Sequence, residues 1–244
     1  MRKFAISDIH GCSRTLEALL DKLAVTTADE VYFLGDYIDR GPDSKGVIDL
    51  ILDMKSEGYA VHCLMGNHEA YMLLSKDDPR YQPEWLSWGG RETLRSFGLH
   101  SGNQLNRIEK RYWAFLSELD PFFSVDDYLL VHAGFNFQAE DPALDFEAML
   151  WIRDWYEDID YDWLGPRMIV HGHTPVSTSI IRSLHRNLAD GQVLDIDCGC
   201  VYPQREGVGY LCAFDLTNNE LIFQPNCESG RKSVKHLERV IGRK

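Results

Sequence analysis

Five times along this chain a short apolar run stops at an aspartate, asparagine or histidine beside a glycine. Residues 3–7 lead into Asp8-Ile9-His10-Gly11, and residues 30–34 lead into Gly35-Asp36. Residues 59–64 lead into Gly66-Asn67-His68, residues 128–131 into His132-Ala133-Gly134, and residues 168–170 into His171-Gly172-His173. Apolar runs this short, bounded by turn residues, read as buried strands. Between the first three lie helical spacings: Leu16, Leu19, Leu20 and Leu23 after Ser13, a potential cap, then 45–55, which Gly58 terminates. Strand–helix–strand at that interval predicts parallel strands joined by right-handed crossovers. In open α/β sheets the carboxyl ends of the strands are where sites assemble, so the polar residues are placed to converge. Taken singly, each is a turn residue or a core histidine; five in sequence order are not.

The remaining pattern predicts one α/β domain over 1–227 with two β layers flanked by helices. Residues 76–119 read as a helical segment anchored by Trp85, Trp88, Leu94, Phe97, Trp113, Phe115 and Leu116. After Pro175 the chain reads as strand-rich, at 192–196, 209–216 and 220–224, with a hairpin turn at 217–219. A chain of 244 residues with 44% hydrophobic and 26% charged residues is neither disordered nor fibrous. Its net charge of −13 argues against nucleic acid or an anionic membrane as a partner. No apolar run is long enough to cross a bilayer, and 1–7 lacks a signal-peptide core, so the expected setting is the cytoplasm and the expected state a monomer. Six cysteines without a Cys-x-x-Cys pair read as reduced thiols. Residues 228–244 carry six bases against two acids and read as a solvated basic tail.

Carboxylates, an amide and imidazoles suit a pair of divalent first-row cations better than a thiolate site does. Two such ions ~3.5–4 Å apart clamp the attacking and leaving oxygens of a phosphoryl transfer. Here the motifs become specific. Asp8-x-His10-Gly11, Gly35-Asp36-x-x-Asp39-Arg40-Gly41 and Gly66-Asn67-His68-Glu69 resemble the three signature blocks of the phosphoprotein phosphatase family of metallophosphoesterases. His132-Ala133-Gly134 and Gly172-His173-Thr174-Pro175 resemble its later metal histidines, and Trp151-Ile152-Arg153-Asp154 its second phosphate arginine. The resemblance implies a calcineurin-like metallophosphoesterase fold. It implies that Asp8 and His10 hold one metal, that Asp36 bridges, and that Asn67, His132 and His173 hold the other. His68 would be the general acid, oriented by Asp39; Arg40 and Arg153 would bind the phosphoryl group. The cofactors implied are two divalent ions, manganese first, with iron, zinc, nickel or cobalt as alternatives.

Two positions depart from the family. Ser7 replaces the opening glycine, and Met65 stands where many members carry a phosphate-binding arginine; Arg91 is a candidate replacement. His171 reads as a strand-end residue beside the site, and residues 85–90 as either the substrate mouth or core. Nine acids around Arg153 between 140 and 162 read as a solvated face or as a selector for basic phosphosites. The leading expectation is a phosphatase of phosphoserine and phosphothreonine, extending to phosphotyrosine, in a protein or peptide partner. The alternative is symmetrical diadenosine tetraphosphate hydrolysis. Met65 and Asp197-Cys198-Gly199-Cys200 favour that alternative, whereas Asp39, Glu69 and His173-Thr174-Pro175 favour the phosphatase. A catalytically silent metal-binding scaffold is the reading from another class, and it predicts a lost ligand.

Overall fold

Period-two alternation decides how the layers stack. In the computed structural model, which describes residues 1–228, β1 (Lys3–Ile6), β2 (Glu30–Phe33) and β3 (Ala60–Cys63) pair in parallel. Their register places Phe4 beside Val31 and Val31 beside Val61. Phe4, Ile6, Val31 and Phe33 pack with the apolar stripes of α1 (Ser13–Leu23) and α2 (Ser44–Ser56). Their neighbours Ala5, Tyr32 and Leu34 belong to a second core cluster on the opposite face. α3 (Asn67–Asp77) follows β3 and leads into α4 (Gln82–Trp85), α5 (Arg91–Ser96) and α6 (Lys110–Ser117), which extend the first core through Trp85, Leu94, Tyr112 and Leu116.

The second sheet has the order β4-β5-β6-β7, from β4 (Phe122–Val125), β5 (Tyr128–Val131), β6 (Met168–His171) and β7 (Val193–Asp195). Leu130, Val170 and Leu194 meet Ala5, Leu34 and Phe214 between the sheets. Leu129, Val131 and Ile169 turn the other way, onto Met149 of α7 (Phe146–Trp151), Trp155 and Leu164 of α8 (Tyr161–Leu164). The chain then returns to the first sheet. β8 (Tyr210–Asp215) pairs antiparallel with β1 and carries β9 (Glu220–Pro225) at its side, giving the order β3-β2-β1-β8-β9. Two β layers flanked by helices are the calcineurin-like architecture the motifs implied.

Three local expectations change. β4 completes the second sheet at 122–125, a stretch to which the sequence pattern assigns no element. α9 (Thr178–Arg186) occupies a stretch read as strand-rich; the Ser177 hydroxyl accepts the Ile180 N–H at its start, and Ile181 is its buried anchor. Ser13 is no cap, since its hydroxyl donates to Asp43 Oδ2 at 2.8 Å. The first turn of α1 is instead held by Glu228, whose Oε1 accepts the Thr15 N–H at 2.9 Å and hydroxyl at 2.8 Å. The basic tail lies, past Glu228, outside the described residues. Among the described residues all six cysteines are free thiols, and burial pushes Cys63 and Cys198 up to about 12. No described helix is long and apolar enough to cross a membrane.

Candidate metal centre

The site forms where strands from both sheets end. Asp8 and His10 follow β1, Asp36 follows β2, and Asn67 opens α3 after β3; His132 and His173 follow β5 and β6. All six are buried. Asp36 is the hub, with Oδ2 3.4 Å from His10 Nε2 and Oδ1 3.6 Å from His132 Nε2. Asn67 Oδ1 lies 3.0 Å from His132 Nε2 and 3.1 Å from His173 Nδ1. Two groups close enough to hold an ion result, His10–Asp36–His68 and Asp36–His132–His173, and they share Asp36. Asp8 stands outside both groups, accepting the His173 N–H at 3.1 Å. His171 belongs to neither; its Nε2 meets the Tyr156 hydroxyl at 2.6 Å.

These donors fit divalent cations. His10 and His132 turn Nδ1 to the carbonyls of Ile38 and Leu34, each at 2.9 Å, which leaves the Nε2 lone pairs facing inward. Burial, chiefly, pushes both rings below the ordinary histidine range, so they stay neutral and able to ligate. The inward Nε2 of His132 then confronts Asn67 Oδ1, a contact between acceptors that a cation relieves. The buried Nε2 atoms of His68 and His173 have no hydrogen-bond partner. Burial and the neighbouring carboxylates Asp197 and Asp36 push Asp8 well above the usual range, and burial takes Asp197 up to about 7. That crowding of acid is what bound positive charge offsets. Burial would raise Asp36 as well, but the histidines and Arg40 around it hold it far below the ordinary range.

The backbone is bent to make this cage. His10, Asp36, Asp39, Arg40 and His173 all have positive φ, between 47° and 76°. For residues with a Cβ this conformation costs ~1–3 kcal/mol each and persists only where the surroundings enforce it. Glu69 does much of that enforcing. Its carboxylate accepts the N–H groups of Asp36, Tyr37, Ile38 and Gly66 at 2.9 to 3.2 Å. Gly66 must be glycine for another reason: a Cβ there would lie 2.3 Å from Asp36 N.

Beside the cage, His68 Nδ1 bonds Asp39 Oδ2 at 2.7 Å, and its Nε2 faces Asp36 Oδ2 at 4.0 Å. Asp39 is fixed by Trp85, whose Nε1–H donates to Oδ2 at 3.0 Å, and by the Thr93 hydroxyl, which donates to Oδ1 at 2.5 Å. Trp85 is thus a core residue that also reaches the site, while Trp88 sits at the mouth. Arg40 Nη1 is 2.5 Å from His10 Nε2; the exposed Arg153 donates to Thr174 Oγ1 at 3.1 Å. The Met65 N–H bonds the Asp120 carbonyl at 2.8 Å, and Arg91 lines a cavity of about 200 Å³ with Arg95 and His100 that includes no cage residue. Arg91 thus lines a cavity separate from the cage residues. Sequence reasoning did not single out Trp85 and Thr93 as partners of Asp39, or Glu69 as the backbone anchor. The only signal was Glu69 itself, an acid inside a glycine–asparagine–histidine turn.

A two-sheet α/β fold with oxygen and imidazole donors gathered around one shared carboxylate defines a metallophosphoesterase. The sequence model of the calcineurin-like phosphoesterases matches residues 1–200, and the chain belongs to that family. The symmetrical bis(5'-nucleosyl)-tetraphosphatase of Proteus mirabilis is 34% identical over 220 residues, covering 81% of this chain and 72% of that protein. That of Photorhabdus laumondii is 28% identical over 219 residues, covering 81% and 71%. The alignment with the Cellvibrio japonicus tetraphosphatase is shorter, 74 residues that span 26% of that protein. Among solved structures, one provisionally assigned as a diadenosine tetraphosphatase superposes with a TM-score of 0.65 at 21% identity, covering 93% of this chain and 95% of its own. A Saccharomyces cerevisiae protein serine/threonine phosphatase gives 0.64 at 15% identity, covering 93% and 81%. At those identities the two structures speak for the fold alone.

Proposed function

We propose that this phosphoesterase cleaves symmetrical dinucleoside tetraphosphates into two nucleoside diphosphates. The observation that carries the reading is similarity to symmetrical tetraphosphatases over 81% of the chain, which moves this substrate ahead of the phosphoprotein that the signature blocks first suggested. Met65 is consistent with it: no side-chain cation stands directly before Gly66.

Asp8, His10 and Asp36 would hold one divalent ion, and Asp36, Asn67, His132 and His173 the other. Manganese heads the candidates for this mixed oxygen and imidazole donor set, ahead of iron, zinc, nickel and cobalt. Such a pair, when bound, neutralises phosphoryl oxygens and acidifies water. The rest falls to the chain. Arg40 and Arg153 offer planar guanidinium forks to the phosphoryl oxygens. Asp39 accepts from His68 Nδ1 and so directs Nε2 toward the leaving oxygen, the atom to which a general acid gives its proton.

That buried dyad favours a second reading, hydrolysis of phosphoserine or phosphothreonine. An alkoxide leaving group requires a proton, whereas a nucleoside diphosphate departs readily without one. The test is turnover of diadenosine tetraphosphate and of a phosphothreonine peptide, side by side, by protein stripped with chelator and reloaded with manganese. Faster nucleotide cleavage is the expected result. Peptide turnover with negligible nucleotide cleavage would overturn the first reading in favour of the second.

A further inference from the structure

Next to the cage is a surface that the phosphoryl chemistry does not use. The Trp88 ring centre lies 6.3 Å from that of His68, and the Trp151 ring centre 6.5 Å from that of His173. The two indoles are 5.5 Å apart at 63°, and Tyr71 leans on Trp88 at 4.4 Å. Together they border an open pocket of about 520 Å³ whose further lining includes Leu74, Phe146 and Leu150. Leu74 is 46% and Phe146 54% exposed, so this is an apolar surface in contact with water. The polar groups on the rim are the exposed carboxylates Glu84 and Glu147, and the Tyr71 hydroxyl donates to Glu84. The turn carrying Trp88 is tied to the phosphate-binding loop, because the Gly89 carbonyl accepts the Arg40 N–H at 3.2 Å.

We infer that this shelf stacks a purine base of the nucleotide whose phosphate occupies the cage; the inference rests on the nucleotide reading of the site. Three features select that occupant. The indoles adjoin both His68 and His173, so a group stacked on them is continuous with a phosphate chain at the metals. A base is uncharged, so the acidic rim that repels phosphate does not repel it. Carboxylates accept hydrogen bonds and donate none, which matches the exocyclic amino group of adenine. Tryptophan faces stack bases regardless of sequence, by ~1–3 kcal/mol per base, or roughly 5- to 150-fold in affinity.

The test reads binding apart from turnover. Tryptophan fluorescence of the metal-loaded protein is titrated with ADP, and pyrophosphate affinity is measured by competition, in the wild type and in Trp88→Leu, Trp151→Leu and Trp88→Phe. Quenching by ADP, a loss of ADP affinity in Trp88→Leu about tenfold or more beyond any loss for pyrophosphate, and recovery in Trp88→Phe are expected. Recovery in the phenylalanine variant separates stacking from a folding defect. Equal losses for ADP and pyrophosphate would overturn the inference. So would a Trp88 effect confined to a phosphothreonine peptide with an apolar flanking residue, which would make the shelf a peptide groove. The two readings fail separately. If diadenosine tetraphosphate is cleaved with a KM indifferent to Trp88→Leu, only the shelf is wrong; if ADP stacks as described but the tetraphosphate is not cleaved, only the substrate is.

Discussion

Replacing Asp39 with asparagine isolates what the buried dyad contributes. Oδ2 accepts from His68 Nδ1 at 2.7 Å and from Trp85 Nε1 at 3.0 Å, and Oδ1 accepts from the Thr93 hydroxyl at 2.5 Å. The asparagine carbonyl can take over the Oδ2 contacts. Its amide then faces Thr93, whose hydroxyl proton can turn to Ser44 Oγ, 2.9 Å away, and leave a lone pair to accept. The geometry survives while the charge is lost. A hydrogen bond to a charged group contributes ~1.5–3 kcal/mol and a neutral one ~0.5–1.5. The two bonds to Oδ2 therefore weaken by about 2–3 kcal/mol in all, and protonated His68 loses its counter-charge. Where the leaving oxygen needs a proton and that loss falls on the transition state, the rate falls by up to roughly 30- to 160-fold. The assay is kcat/KM at pH 7 for a phosphothreonine peptide, 4-nitrophenyl phosphate and diadenosine tetraphosphate, with metal content measured alongside. The peptide should lose most, and the other two, whose leaving groups are acidic, under tenfold. Equal losses on all three at full metal occupancy would remove His68 from the acid role.

Asp36→Asn should abolish paired metal binding and activity while the circular dichroism spectrum stays native, since no other carboxylate belongs to both candidate groups; elemental analysis showing two bound ions would refute that. Glu228→Ala removes a carboxylate from the first turn of α1 and should cost about 1 kcal/mol, a fall of ~2–4 °C in melting temperature. Burial pushes His171 down to about 4, whereas in the unfolded chain it titrates near ~6.5. Between those values the unfolded state binds the extra proton, so stability must fall as pH drops through that window, by about 3 kcal/mol from this residue. Urea unfolding of His171→Gln from pH 7 to 4 should show a flatter decline than the wild type.

Much of this molecule is legible in its sequence because its strands are short, apolar and punctuated. Alternation through 4–6 and 31–34 fixes which side chains face the helices and which face the second sheet. The ends of those runs mark the cage residues, and the blocks around Asp36 and Asn67 point to the family. What was hidden depends on contacts distant in sequence. Trp85 looks like any buried tryptophan until the fold puts its N–H on Asp39, 46 positions away. β4 is four residues long and gains its identity only by pairing with β5. α9 was masked by the strand-rich chain around it, although Ser177 marks its start. The sequence motifs leave the proposed order of substrates open too, because candidate metal ligands report the bond to be broken and not the groups attached to it.

The return of the chain to its first sheet also sets a schedule. β1 lies at the centre of that sheet, but its partner on one side, β8, reaches Asp215 opposite Phe4. During synthesis at ~5–20 residues per second, β2 can pair with β1 roughly 10–40 s before β8 leaves the ribosome. Over that interval a central strand is an open edge, the kind of surface on which chains pair wrongly. Asp8, His10, Asp36 and Asn67 emerge early, whereas His173 comes more than a hundred residues after Asn67. For much of its birth the nascent protein therefore carries four of the six candidate cage residues beside an unfinished sheet, and β8 joins that sheet only after the last of the six has appeared.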